Sequence, residues 1–198
     1  MYFPRLYPDE LLYSGIARCR VHLGIGNHKT LLHMLFGDSK VAAITDLPTH
    51  LTALANNTGL DAEGMILNHT LFPLYAPFIP PERRTDLFQA MLASNRPTIG
   101  LSGASTALVK WPDWLRYCPI CFEDMAARYG EPYWQRSWQI QGIDACPEHG
   151  CQLLNSPILF RRAQRHEFHP ASPLVLPPDL RGSPAGEEPI RRAKAAVP

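Results

Sequence analysis

The chain has 198 residues, 45% of them apolar, and a formal net charge of +1, which suits one ordinary domain or two small ones and gives no global signal for a polyanion partner. No apolar run approaches the roughly 20 residues needed to cross a bilayer, so a membrane partner is not expected and the cytoplasm is the expected compartment. There are twenty prolines, about twice the usual share, and their clusters at 73–81 and 170–198 mark segment edges.

The opening Met1-Tyr-Phe-Pro-Arg5 lacks the pattern of a signal peptide. Tyr7-Pro8 is read as the start of a helix, with Asp9 and Glu10 in its first turn, where acids suit the positive helix end. Leu12, Ile16, Cys19 and Leu23 then make one apolar stripe, so Cys19 reads as a core thiol. Gly24-Ile-Gly26 ends that helix and is too slight to suggest a nucleotide loop. Asn27 is placed to cap a second helix over 28–36, with Leu31, Leu32 and Leu35 inward and Gly37 as its stop.

Residues 49–71 have a helix-turn-helix pattern. Leu51, Leu54 and Ala55 line the first helix, Gly59 gives the turn, Asp61 caps the second, and Leu60 and Met65 fall at the positions of a hydrophobic staple. A DNA-reading helix needs Arg, Lys, Asn or Gln for base edges and phosphates. This stretch has no Lys or Arg, and Asn68 is its one obvious base reader, so helix pairing or a protein-binding face is the better reading. From His69 to Pro81 the prolines forbid a continuous helix, which implies an extended strap carrying Phe72, Tyr75 and Phe78 over the core. Pro81 can start another helix over 82–94, with Leu87, Met91 and Phe88 inward; Arg83, Arg84 and Arg96 read as ordinary solvated charges. Residues 97–109 are Gly/Ser-containing linker, and Ser102 lacks the surroundings of a nucleophile.

The strongest chemical signal follows in Cys118-Pro-Ile-Cys121 and Cys146-Pro-Glu-His149. Each motif puts two soft donors on one tight turn. Four such ligands can close a tetrahedron around zinc and leave no open position, which is a structural site and not a catalytic one. Pro119 and Pro147 fix φ within the turns, and Gly150 lets the chain leave the second one sharply. A disulfide framework fits less well, because five cysteines cannot all pair. Cys151 could substitute as a ligand, but a small buried residue is the plainer reading. The 24 residues between the two motifs can hold a helix, expected over 122–129 and stopped by Gly130, and a short hairpin. Tyr133, Trp134 and Trp138 should form an aromatic core beside the metal.

Residues 110–153 carry four basic and six acidic side chains, a poor cradle for phosphates. The nucleic-acid candidates lie further on, at Arg161, Arg162 and Arg165, near His166 and His169, which are conceivable but unsupported metal ligands. Beyond Pro170 the Pro/Ala/Arg-rich tail reads as flexible linker. The fold class expected is mainly α with a small α+β zinc module. It divides into a helix-turn-helix-like domain over 1–100, a Cys3His zinc-finger module over 101–157, and a basic, Pro-rich tail over 158–198.

The order of these pieces carries a family resemblance. The opening Tyr7-Pro-Asp-Glu-Leu-Leu-Tyr-Ser-Gly-Ile-Ala-Arg18 resembles the start of the TniQ/TnsD family of transposition target-selection proteins, and His69-Thr-Leu-Phe-Pro-Leu-Tyr-Ala-Pro-Phe78 looks like its TnsD branch. Arg116-Tyr-Cys-Pro-Ile-Cys121, Tyr133-Trp-Gln-Arg136 and Cys146-Pro-Glu-His-Gly-Cys151 resemble its zinc region, which puts Cys118, Cys121, Cys146 and His149 at the ligand positions for one structural Zn2+. The resemblance covers roughly residues 3–155 in one consistent order.

It implies a non-enzymatic adaptor that links a marked DNA target, either an attachment site or an RNA-guided complex, to an AAA+ ATPase of the TnsC type. The N-terminal region is the part expected to meet that ATPase. Within it Tyr2, Phe3 and Arg5 stand out, since they precede the first helix and are not needed for its stripe; Phe3 could equally lie back over the core. TnsD-branch proteins continue well past this length, and their DNA-binding part lies largely in that remainder. The alternative function is a zinc-stabilised helix-turn-helix DNA-binding regulator.

Overall fold

The computed structural model describes residues 1–93, 97–98, 100–103, 111–160, 166–172 and 182–196. The first helix, α1, runs Leu12–His22 and starts later than the sequence suggests. Asp9 takes a left-handed φ of 55°, which breaks the helical path, and Glu10 turns inward to a fully buried position against Arg18. Both acids therefore serve tertiary contacts and not the helix amides. Leu12, Ile16 and Cys19 are buried, as the stripe requires, and so are Tyr13 and Ala17.

The next elements follow their local signals closely. α2 is His28–Phe36, with the Asn27 side chain accepting from the Lys29 amide and Gly37 closing it at φ 72°. α3 is Leu51–Thr58 and α4 is Ala62–His69. Between them Gly59 sits at φ 78°, and the Asp61 carboxylate accepts from the amides of Glu63 and Gly64. A side chain at that φ would be strained, so the turn needs its glycine. α3 packs on α2 and α4, and Asn68 is exposed.

The proline-rich strap is not extended. It forms a short helix, α5 (Phe72–Tyr75), and a single 3-10 turn over Ala76–Phe78. Pro73 and Pro77 each stand in the first turn of a helix, where a missing N–H removes no bond. Phe72 and Tyr75 are buried while Phe78 is 84% exposed, so only two of the three strap aromatics cover the core. α6 runs Pro81–Leu92, with Leu87 and Met91 buried and the Phe88 ring edge-on to Phe72.

Two strands, β1 (Trp114–Tyr117) and β2 (Leu154–Leu159), pair antiparallel, with Arg116 opposite Asn155 and Tyr117 opposite Leu154. They lie on either side of the cysteine turns, so the short hairpin expected between those turns is absent. That stretch instead holds α7 (Pro119–Tyr129), ended by Gly130 at φ 81°, and a 3-10 turn over Ser137–Gln139. Trp134 and Trp138 are fully buried, and Phe122 packs against both, with its ring also stacked on Tyr117. One apolar cluster runs from Leu11, Leu12 and Ile16 through Met65 and Tyr117 to Trp134, Phe160 and Phe168.

The tail also differs from expectation. Glu187–Ala196 forms a helix, α8, with Ala193 buried against Ile143 and Ala145. Its apolar spacing of Ile190, Ala193 and Ala196 is a helical stripe that the surrounding prolines obscure. Among the described residues, no helix is long and apolar enough to cross a membrane.

Candidate metal centre

The first cysteine turn is also a helix start. Cys118 takes the N-cap position of α7, and its sulfur accepts from the Cys121 amide at 3.4 Å; Pro119 occupies the first helical position. The second turn repeats this local bond, with the Cys146 sulfur accepting from the His149 amide at 3.4 Å. The two turns face each other, so the ligand atoms of Cys118, Cys121, Cys146 and His149 all lie within 4.8 Å of one another. The Cys121 and Cys146 sulfurs are 3.6 Å apart, and His149 Nδ1 lies 3.2 Å from Cys121 Sγ and 3.7 Å from each of the other two sulfurs.

This donor set fits a tetrahedral metal. Sulfurs at roughly 2.3 Å and a nitrogen at roughly 2.05 Å from a zinc ion would stand about 3.8 Å (S to S) and about 3.6 Å (S to N) from each other. The four separations given above, 3.2–3.7 Å, lie within about 0.4 Å of those values. The protonation of the thiols points the same way. Hydrogen bonds from Cys118 and Cys121 pull the Cys146 thiol far below its ordinary value, whereas bonds to Cys118 and Cys146, together with burial, push Cys121 far above. Three thiols packed this closely cannot all ionise without a nearby cation. A divalent ion removes that conflict, at the cost of releasing protons.

The surroundings hold the ligands in place. His149 Nε2 lies 3.2 Å from Asp124 Oδ2 on α7, which orients the ring and leaves Nδ1 toward the sulfurs. Arg116, two residues before Cys118, reaches the loop that leads into the second turn. Its guanidinium donates to the carbonyls of Ile143 (2.6 Å) and Ile140 (2.8 Å) and to Asp144 Oδ1 (3.1 Å). Gln139 completes the brace, accepting from the Arg116 amide and donating to its carbonyl. Burial lowers the pKa of Arg116 and the nearby Asp144 opposes that shift. Cys151, with its sulfur 3.3 Å from that of Cys118, is buried at the edge of the cluster.

Sequence reasoning gave no structural role to Arg116, Gln139 or Asp124. The available signal was slight: Arg116 is a basic residue beside the first motif in an otherwise acidic stretch. Of the other residues named from sequence, Arg161, Arg162 and Arg165 lie outside the described residues. His166 Nδ1 is bonded to the Val41 carbonyl and His169 Nε2 lies 3.6 Å from Glu167 Oε2, so neither joins the cysteine cluster. At the N-terminus Tyr2 is 51% exposed with its hydroxyl 2.7 Å from His22 Nδ1, Arg5 is exposed, and Phe3 is half-buried against the core.

A mainly helical protein, with a Cys3His cluster that could hold a metal ion and a shared core running up to it, is thereby defined. The chain belongs to the TniQ family, whose profile matches residues 1–153. It is also similar to the transposon Tn7 transposition protein TnsD of Escherichia coli, with 40% identity over 174 residues, covering 84% of this chain and 33% of that protein. The chain spans about a third of the length of this curated relative.

Proposed function

We propose that this chain is a target-selection adaptor for DNA transposition that links a marked DNA target to an AAA+ ATPase regulator of the TnsC type. The observation that carries this reading is the 40% identity to TnsD across most of the chain, within a match to the TniQ family. Charge supports a protein-facing role for the helical part: residues 49–71 carry no Lys or Arg to anchor phosphates, and Asp61 and Glu63 are acidic. The metal in this reading is zinc, held by Cys118, Cys121, Cys146 and His149. Four protein ligands leave no position for substrate, so its role is to fold the module and not to catalyse.

Tyr2 and Arg5 are the proposed contacts with the ATPase, because both are exposed in the segment that precedes α1. Phe3 supports that edge from the core side. Aromatic anchors with a charged rim are the usual form of such contacts.

The test is co-sedimentation of the chain with the cognate ATPase on target DNA, with and without nucleotide. Nucleotide-dependent association, weakened by Tyr2→Ala and Arg5→Ala at unchanged thermal stability, is the expected result. A folded, metal-loaded chain that never associates would remove the adaptor reading.

A further inference from the structure

Residues 182–185 return to the second cysteine turn and pair with it. The Gln152 amide donates to the Ser183 carbonyl at 2.8 Å, Pro184 bridges Cys151, and the Ala185 amide donates to the Gly150 carbonyl at 2.9 Å. On their other side residues 150–152 pair with the segment leading into Cys146, through the Ala145–Gln152 bridge and the Cys146 amide bonded to the Cys151 carbonyl. The exit from the metal turn is thus the middle rung of a small three-part ladder.

Side-chain space around the ladder is tight. A Cβ at Gly182 would stand 2.9 Å from Cys151 Cβ, 3.1 Å from its sulfur and 3.3 Å from Pro119 Cγ, so only glycine lets the tail close over both turns at once. α8 then lies against the same site. Ile190 meets Gly150, where a Cβ would be 3.2 Å from Ile190 Cδ1, and Ala193 is buried against Ile143 and Ala145. Arg191 and Arg192 point outward and pair with Glu188.

We propose that residues 182–196 are a clasp on the metal centre: they slow exchange of the bound ion, and their docking depends on the ion being there. The inference rests on the metal reading above. The dependence follows from what the clasp touches. It bonds the Gly150 carbonyl and the Gln152 amide, on either side of Cys151 and just after His149, and Gly150 holds a left-handed φ of 61° there. Ligation of Cys146 and His149 fixes that turn; release of the ion frees it, and the ladder loses its template.

The test uses the full chain loaded with zinc. Zinc transfer to a chromogenic chelator is timed for the wild type, Gly182→Val, Ile190→Asp and the exposed control Arg191→Ala. Hydrogen exchange is then followed in α8 and in the α2–α3 pair before and after chelation. Release about tenfold faster in both clasp variants is expected, the low end of the roughly 10–100-fold loss of affinity that follows losing a partner around a metal site, with the control unchanged. Chelation should expose the α8 amides while α2 and α3 stay protected.

Equal release rates in all four proteins, protection of α8 that survives chelation, or simultaneous loss across α2, α3 and α8 would each overturn the clasp. A gently purified wild type with no stoichiometric metal would instead sink the metal reading itself.

Discussion

Asp9 and Arg136, 127 positions apart, hold each other through both backbone and side chain. The Arg136 amide donates to the Asp9 carbonyl at 2.7 Å, and the Arg136 guanidinium lies 3.1 Å from Asp9 Oδ1. The other carboxylate oxygen accepts from the Ser137 amide, and Arg136 Nη1 also reaches the Leu67 carbonyl at the end of α4. Alongside, Glu10 bridges Gln135, and the Leu11 amide donates to the Trp134 carbonyl. The stretch before α1 is thereby stitched to the segment between the two cysteine turns.

Because Asp9 holds φ 55° and serves as a triple acceptor, its replacement has a graded effect. Asp9→Ala should destabilise by about 1–3 kcal/mol, the cost of leaving partly buried donors unpaired. Asp9→Asn should cost less, since asparagine tolerates the left-handed region and keeps one acceptor oxygen. Urea unfolding of the three proteins checks the order.

Arg18 sits in a second joint. Its guanidinium lies 2.8 Å from Glu10 Oε2 and 2.7 Å from Glu131 Oε1, and stacks over the Tyr7 ring at 4.1 Å. Glu10 is fully buried, and burial raises its pKa while Arg18 opposes the rise. Arg18→Met should therefore cost about 3–5 kcal/mol, because it leaves a buried carboxylate without its cation. The double variant Arg18→Met with Glu10→Gln should recover a large part of that loss. A double-mutant cycle by chemical denaturation gives the coupling, and additive losses would show that the two groups act separately.

Glu131 gives the joint an acid limb. Burial alone would raise its pKa, but hydrogen bonds from Arg18 and His22 outweigh it and hold the group below the ordinary 4.5. A depressed folded-state value means that stabilisation is fully present above pH 4.5 and is lost as pH falls through the folded-state value. Glu131→Gln should thus lower the melting temperature at pH 7, and the gap from wild type should narrow below pH 4.5. Thermal unfolding of both proteins across pH 3–7 reads this directly; a gap independent of pH would show that the charge contributes nothing.

Removing one of the proposed metal ligands should do more than empty the site. Cys121→Ser takes a thiolate from a cluster next to Phe122, whose ring contacts Trp134 and Trp138. Elemental analysis should show less than stoichiometric zinc, and tryptophan fluorescence should shift as those rings gain access to water. Full metal retention in this variant would show that Cys121 is not a ligand.

Local signals in the sequence were sufficient wherever a structure is decided by its own neighbours. Asn27, Gly37, Gly59, Asp61 and Gly130 mark helix ends because each satisfies or releases backbone groups within a turn or two. The same holds for Cys118-Pro-Ile-Cys121 and Cys146-Pro-Glu-His149, where donor type and spacing define a pair of half-sites. What sequence could not decide was where chains distant in sequence meet. Asp9 and Glu10 look like helix-opening acids until Arg136 and Arg18 are placed beside them, and then the tertiary bonds outweigh the helix end. Arg116 is one of four basic side chains in its stretch, with no role assigned, until the carbonyls of Ile140 and Ile143 close around it. The tail reads as proline-rich linker until Gly182 and Ile190 find Cys151 and Gly150, because the stripe of one short helix has no meaning without the surface it covers.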